Sequence, residues 1–189
     1  LLQNSLLVSG LTALCSVALG FIGALWLAGF DAGWRRRLVW LAVLALALPP
    51  FLVTNCWLDL LGLNGAWRGW LPLNIYSLGG TVWVLTLLTW PIPLLATLSA
   101  WRRLQPSQLE SDPALCGAAL IRWLLWPMAR VAVGQAAVLT CVLALNNFAV
   151  PAILQVKVFP AEVWLMFSTH FDSAGALALS WPLIVAPVC

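Results

Sequence analysis

The sequence predicts an all-α protein, a polytopic bundle of membrane-spanning helices with one long polar connection between two of them. Three observations carry this. The 189 residues are 63% hydrophobic and only 8% charged, with a mean hydropathy of +0.99, and a soluble chain of this length needs far more polar surface to stay dispersed. The apolar residues come in runs of about 20, the length that crosses the hydrocarbon core of a bilayer. The polar residues are concentrated instead of interspersed. Arg102–Arg130, RRLQPSQLESDPALCGAALIRWLLWPMAR, holds four of the nine basic residues and two of the six acids.

Four full spans are predicted, over 4–28, 38–61, 81–100 and 131–154, with a truncated fifth from Ala174 to Cys189. The first carries Ser16, Gly20, Ala24 and Ala28 four residues apart, a small-residue stripe on which another helix can approach closely. Pro49-Pro50 in the second and Pro91-Ile-Pro93 in the third each remove backbone hydrogen bonds, so both helices should kink there. The kinks serve either static packing or a hinge beside a pathway. The chain begins at Leu1 without a methionine and stops at Cys189 in apolar sequence. It reads as one transmembrane domain over 1–189, a fragment or one half of a longer polypeptide. The first span is too long for a cleavable signal and has no basic leader.

The loops set the orientation. One side would hold Arg35, Arg36, Arg37, Arg102, Arg103, Arg122 and Arg130, and the other only Arg68 and Lys157. The richer side is expected in the cytoplasm and the N-terminus outside. Trp26, Trp34, Trp40, Trp57, Trp83, Trp101 and Trp164 fall near span ends or in connections, as aromatic belts do at both interfaces.

Polar side chains within the spans are few. Asn55 and Asp59 lie one turn apart near the outer end of the second span, and Asn146 and Asn147 lie together in the fourth. Each pair serves either an interhelical hydrogen bond or a route for a polar solute. His170 and Asp172 share an outer loop and read as solvated; the five cysteines show no CxxC spacing and read as small apolar residues. The basic residues flank spans instead of forming a stripe, which excludes nucleic-acid binding. No two acids converge in a span and no nucleophile–base pair is evident, which argues against a membrane enzyme.

Within the polar stretch, Ser107-Gln-Leu-Glu110 after Pro106 is a capping-box pattern, and Asp112-Pro113 is a second possible helix start. Gly117 can close the helix. A helix of two or three turns is therefore expected on the cytoplasmic face, inside a connection over 101–130. The string as a whole resembles the coupling loop of binding-protein-dependent ABC importer permeases of the type I, methionine-permease-like fold. That loop carries a Glu-Ala-Ala triplet and a glycine six residues after the glutamate. Here Ser111-Asp112-Pro113 stands in the place of the triplet, while Pro106, Glu110, Ala114, Gly117-Ala118 and Pro127 remain. Asn4-Ser5-Leu6, Leu48-Pro-Pro-Phe51 with Trp57-Leu-Asp-Leu-Leu-Gly62, and Tyr76-Ser-Leu-Gly-Gly80 follow the order found in such permeases. Asn147-Phe-Ala-Val-Pro151 and Val158-Phe-Pro160 are most similar to the iron(III)-type branch.

The resemblance implies a permease in a bacterial inner membrane that performs no chemistry itself. It binds no cofactor, and ATP is used on a partner subunit. The implied partners are a cytoplasmic ABC ATPase dimer, a second permease half or fused repeat, a periplasmic or extracellular solute-binding protein, and the lipid bilayer. Ser107, Glu110, Asp112, Ala114, Gly117 and Arg122 are the residues implied to engage the ATPase. Asn55, Asp59, Asn146 and Asn147 are the pathway candidates. An ion-coupled secondary transporter and a degenerate, non-transporting permease-like subunit are the competing readings. Neither residues nor resemblance identify the solute.

Overall fold

The computed structural model describes residues 1–69, 74–102, 117–165 and 181, and every described element is helical. α1 (Leu2–Ala28), the pair α4 (Leu78–Thr89) and α5 (Pro91–Trp101), and α6 (Ala118–Leu145) are long and apolar enough to cross a membrane. Between them, α2 (Ala32–Ala47) and α3 (Pro50–Leu61) meet at a bend of 97°, which makes a fourth crossing if the two are one broken span. Two short helices follow α6, α7 (Ala149–Ile153) and α8 (Phe159–Leu165). Apart from Trp181, the fifth span expected from Ala174 to Cys189 lies outside the described residues, as do residues 107–116 of the helix expected in the polar connection.

Three long helices form the bundle. Gly20 of α1 lies against α5 so closely that a Cβ there would meet Leu94 N at 2.7 Å and Trp90 O at 2.9 Å. The two helices run parallel, since Ser16 pairs with Thr89 one turn before Gly20 meets Pro93 and Leu94. α6 runs antiparallel to α1. Val8 and Ala144 share one core cluster, and Ala24 and Ala129 share the other. The stripe expected on α1 is this contact face: Ser16, Gly20 and Ala24 are buried, whereas Ala28 at the helix end is exposed.

The bundle buries hydroxyls within its apolar core and exposes large apolar side chains. Ser5, Ser9, Thr12, Ser16, Thr86, Thr89, Thr97 and Thr140 are all buried. Leu14 (67% exposed), Ile22 (62%), Val131 (65%) and Val138 (62%) face outward. Water would punish so large an apolar surface. A bilayer does not, and there small and hydroxylated residues mediate helix contacts. This is the build of a membrane protein.

The prolines act differently at their three sites. Pro49 and Pro50 end α2 and begin α3, with Pro50 in the first turn, where its missing N–H costs nothing. The expected kink is there a full break. Pro91 and Pro93 interrupt the ladder only near Trp90, and 78–101 continues as one span of 24 residues. Both rings are buried, and Pro93 faces Gly20. Hydroxyls bond back to the prolines' own carbonyls one turn before them: Thr97 Oγ1 donates to Pro93 O at 2.7 Å, and Thr54 Oγ1 donates to Pro50 O at 2.7 Å. Pro127 lies within α6, directly after a π-helical turn over Ile121–Leu125. The wider turn gives the ring room beside the preceding carbonyls.

The last crossing therefore starts 13 residues earlier than Val131 and stops at Leu145 instead of Leu154. Arg122 and Arg130 do not end it because both are exposed on the helix surface, where long side chains can reach the interface.

Candidate functional site

The bundle has two chemically distinct ends. α1 and α5 finish, and α2 and α6 begin, at an end carrying Arg35, Arg36, Arg37, Arg102 and Arg122, with Arg130 two turns further along α6. Trp101 Nε1 donates to Leu125 O at 3.0 Å there, and Phe21 packs edge-on against both Trp101 and Trp126. These contacts pin the end of α5 beside the start of α6, so Arg102 and Gly117 both lie at the basic end. Of the residues expected to engage a partner ATPase, Ser107, Glu110, Asp112 and Ala114 lie outside the described residues. Gly117 has a φ of 57° and directly precedes α6, a conformation that favours glycine. It opens the helix that follows. Arg122 is exposed, with its guanidinium over the Trp123 ring at 5.5 Å.

The opposite end gathers the pathway candidates. α3 packs on α7, and their Val53, Trp57, Leu61 and Val150 join Val8 of α1 and Ala144 of α6 in one cluster. Asn55 and Asp59 are exposed on one face of α3. Asn146 is exposed, and its Nδ2 donates back to Val142 O at 3.0 Å. Asn147 is half-buried, and its Oδ1 accepts the Val150 N–H at 3.1 Å, satisfying a first-turn N–H of α7 from just before its N-cap, Phe148. The two pairs share this end of the bundle, and among the described residues no hydrogen bond joins them.

Two further tethers close the same end. Asn4 Nδ2 donates to Lys157 O at 3.2 Å, and Ser5 Oγ accepts the Phe159 N–H at 2.8 Å. The stretch after α7 is thereby held to the start of α1. Its turn is a Schellman motif: Val156 N–H donates to Pro151 O at 2.8 Å and Gln155 N–H to Ala152 O at 3.2 Å. Gln155 adopts a φ of 56° to make it.

Sequence reasoning missed the polar spot in the bundle interior. Thr12, Thr86 and Thr140 are buried, and their hydroxyls have no hydrogen-bond partner among the described residues. The Ser16–Thr89 bond sets Thr12 and Thr86 about one turn from it on parallel helices. The antiparallel run of α6, with Val8 and Ala144 in one cluster, sets Thr140 near the level of Thr12. Three hydroxyls with spare hydrogen-bonding capacity thus share one depth of an apolar bundle. The signal was present in the sequence as Thr12 and Ser16 on the small-residue face. Nothing in one sequence says that Thr86 and Thr140 lie level with them.

Comparison of the chain with protein-family models gave no match, and comparison with curated proteins gave none. Composition, topology and geometry therefore carry the functional reading.

Proposed function

We propose that this chain is the permease component of an ATP-driven importer, forming part of a solute pathway and coupling to a cytoplasmic ATPase. The observation that carries the reading is the long polar sequence between two spans whose flanking ends, Trp101 and Leu125, are joined at the basic end. In the positive-inside sense this end is cytoplasmic, where an ATPase would meet it. The order of permease-like motifs along the chain supports the same reading. Asn55, Asp59 and Asn147 at the other end are the proposed mouth for solute handed over by a binding protein, and iron(III) or a related small solute is the proposed cargo. ATP binding on the partner biases a two-state bundle between inward and outward openings. The test is co-purification of the full polypeptide with its cognate ATPase in detergent. ATPase recovered with the wild type and lost when 107–117 is scrambled supports coupling. No recovery with the wild type overturns it.

The broken pair α2–α3 favours a second reading, an ion-coupled secondary transporter. Discontinuous helices line substrate and ion sites in that class, and Asp59 lies three turns past the 97° break. Uptake into vesicles driven by a proton or sodium gradient without ATP would favour it over the importer.

A further inference from the structure

A cavity of about 610 Å³ opens at the basic end between the start of α2 and the end of α5. Arg35, Arg36 and Arg102 lie along it with Ser99, and its remaining wall is apolar, including Val39, Leu95 and Leu98. No carboxylate is found among its described lining residues. Arg37 is directed elsewhere, with its guanidinium over the Trp34 ring at 5.2 Å. The first-turn N–H groups of α2 are free of intrahelical partners, and the Asp31 carboxylate at the N-cap partly offsets their positive field.

From this juxtaposition of three guanidinium groups and an apolar wall at one end of a membrane bundle, we propose a site for an anionic phospholipid, with the phosphodiester headgroup on Arg35, Arg36 and Arg102 and an acyl chain along Val39, Leu95 and Leu98. Charge complementarity selects the headgroup, since guanidinium forks match phosphate oxygens and basic pockets between membrane helices hold anionic headgroups. The apolar wall selects a lipid over a free anion: a soluble phosphate would leave Leu95 and Leu98 uncovered. Trp40, Leu41 and Leu44 on the neighbouring turns of α2 are exposed. A zwitterionic choline lipid brings its cation against the three arginines and fits poorly. The site requires only the membrane bundle and does not depend on the importer reading.

The experiment is native mass spectrometry of the full polypeptide in detergent, titrated with phosphatidylglycerol, phosphatidylcholine or inorganic phosphate. Saturable phosphatidylglycerol adducts are expected. They should weaken about fivefold for each arginine replaced and on the order of a hundredfold in R35Q/R36Q/R102Q. R122Q/R130Q, which removes two basic residues outside the cavity, should bind as the wild type does. Leu98→Trp, which fills the cavity and keeps all three arginines, should also lose the adducts; this variant decides the matter if the triple substitution fails to fold. Equal binding of phosphatidylcholine, wild-type binding by Leu98→Trp, or equal loss in R122Q/R130Q would each overturn the proposal. Displacement of the lipid by inorganic phosphate at equal concentration would assign the arginines to a free anion instead and overturn the lipid site.

Discussion

Ser16 and Thr89 share a hydrogen bond of 2.8 Å between their hydroxyls, fully buried between α1 and α4. Thr89 Oγ1 also donates to Leu85 O at 2.8 Å. The Ser16 hydroxyl is therefore the donor of the interhelical bond, and Thr89 Oγ1 accepts it.

This sets up a contrast between hydroxyls. Ser16→Ala should destabilise the bundle by about 0.6–1 kcal/mol, the usual worth of an interhelical hydrogen bond in a membrane. Thr12→Val removes a hydroxyl with no partner among the described residues and keeps the shape, so stability should hold or rise. Thermal unfolding in detergent reads both. A loss in Thr12→Val as large as in Ser16→Ala would show that Thr12 makes a bond of its own.

Glycines on the same helix should differ sharply. Gly20→Ala places a methyl 2.7 Å from a backbone nitrogen of α5. The helices must part, at a cost of about 1–3 kcal/mol. Gly10 has nothing within 4 Å of the same position, and Gly10→Ala should stabilise α1 by about 0.5–1 kcal/mol through backbone entropy. Similar melting temperatures for the two variants would contradict the packing described here.

At the turn after α7, Gln155 holds a left-handed conformation that costs an L-residue about 1–2 kcal/mol. Gln155→Gly should relieve part of that strain and raise the unfolding temperature. A fall would mean that the glutamine side chain contributes more than its backbone loses.

Asn147 separates packing from transport. Asn147→Leu removes the acceptor for the Val150 N–H, worth about 1 kcal/mol, and on the proposed function it should lower uptake while the protein still assembles. Asn147→Asp keeps an acceptor for the Val150 N–H and should retain that bond. Wild-type uptake by Asn147→Leu would return the residue to a structural role alone.

The helices were legible where apolar runs are long and uninterrupted. α1 was expected over 4–28 and occupies Leu2–Ala28. The errors cluster where two signals compete. Arg122, Pro127 and Arg130 read as a loop ahead of the last crossing, but a π-helical turn absorbs Pro127 and both arginines point outward, so the helix runs through. Apolar sequence continues past Asn147, yet a new helix starts there, with that side chain accepting a first-turn N–H. The paired prolines were legible as a kink, but not its size. Pro49 is exposed and Pro50 only half-buried, whereas Pro91 and Pro93 are both buried and Pro93 lies against Gly20. The pathway candidates were legible as isolated polar residues. Their gathering at one end of the bundle depends on tertiary register, which no local pattern encodes.

The break at Pro49 has a consequence for the surrounding lipid. With 27 residues, α1 rises about 40 Å, while α2 rises only about 24 Å in 16 residues before the chain turns aside. The hydrocarbon layer is about 30 Å deep. The α2 flank is thus too shallow for the leaflets beside it, and the α1 flank is too tall. A tall α1 is met by tilt or a thicker leaflet and a short α2 by thinning, so the collar of lipid should be lopsided, with shorter acyl chains favoured beside α2.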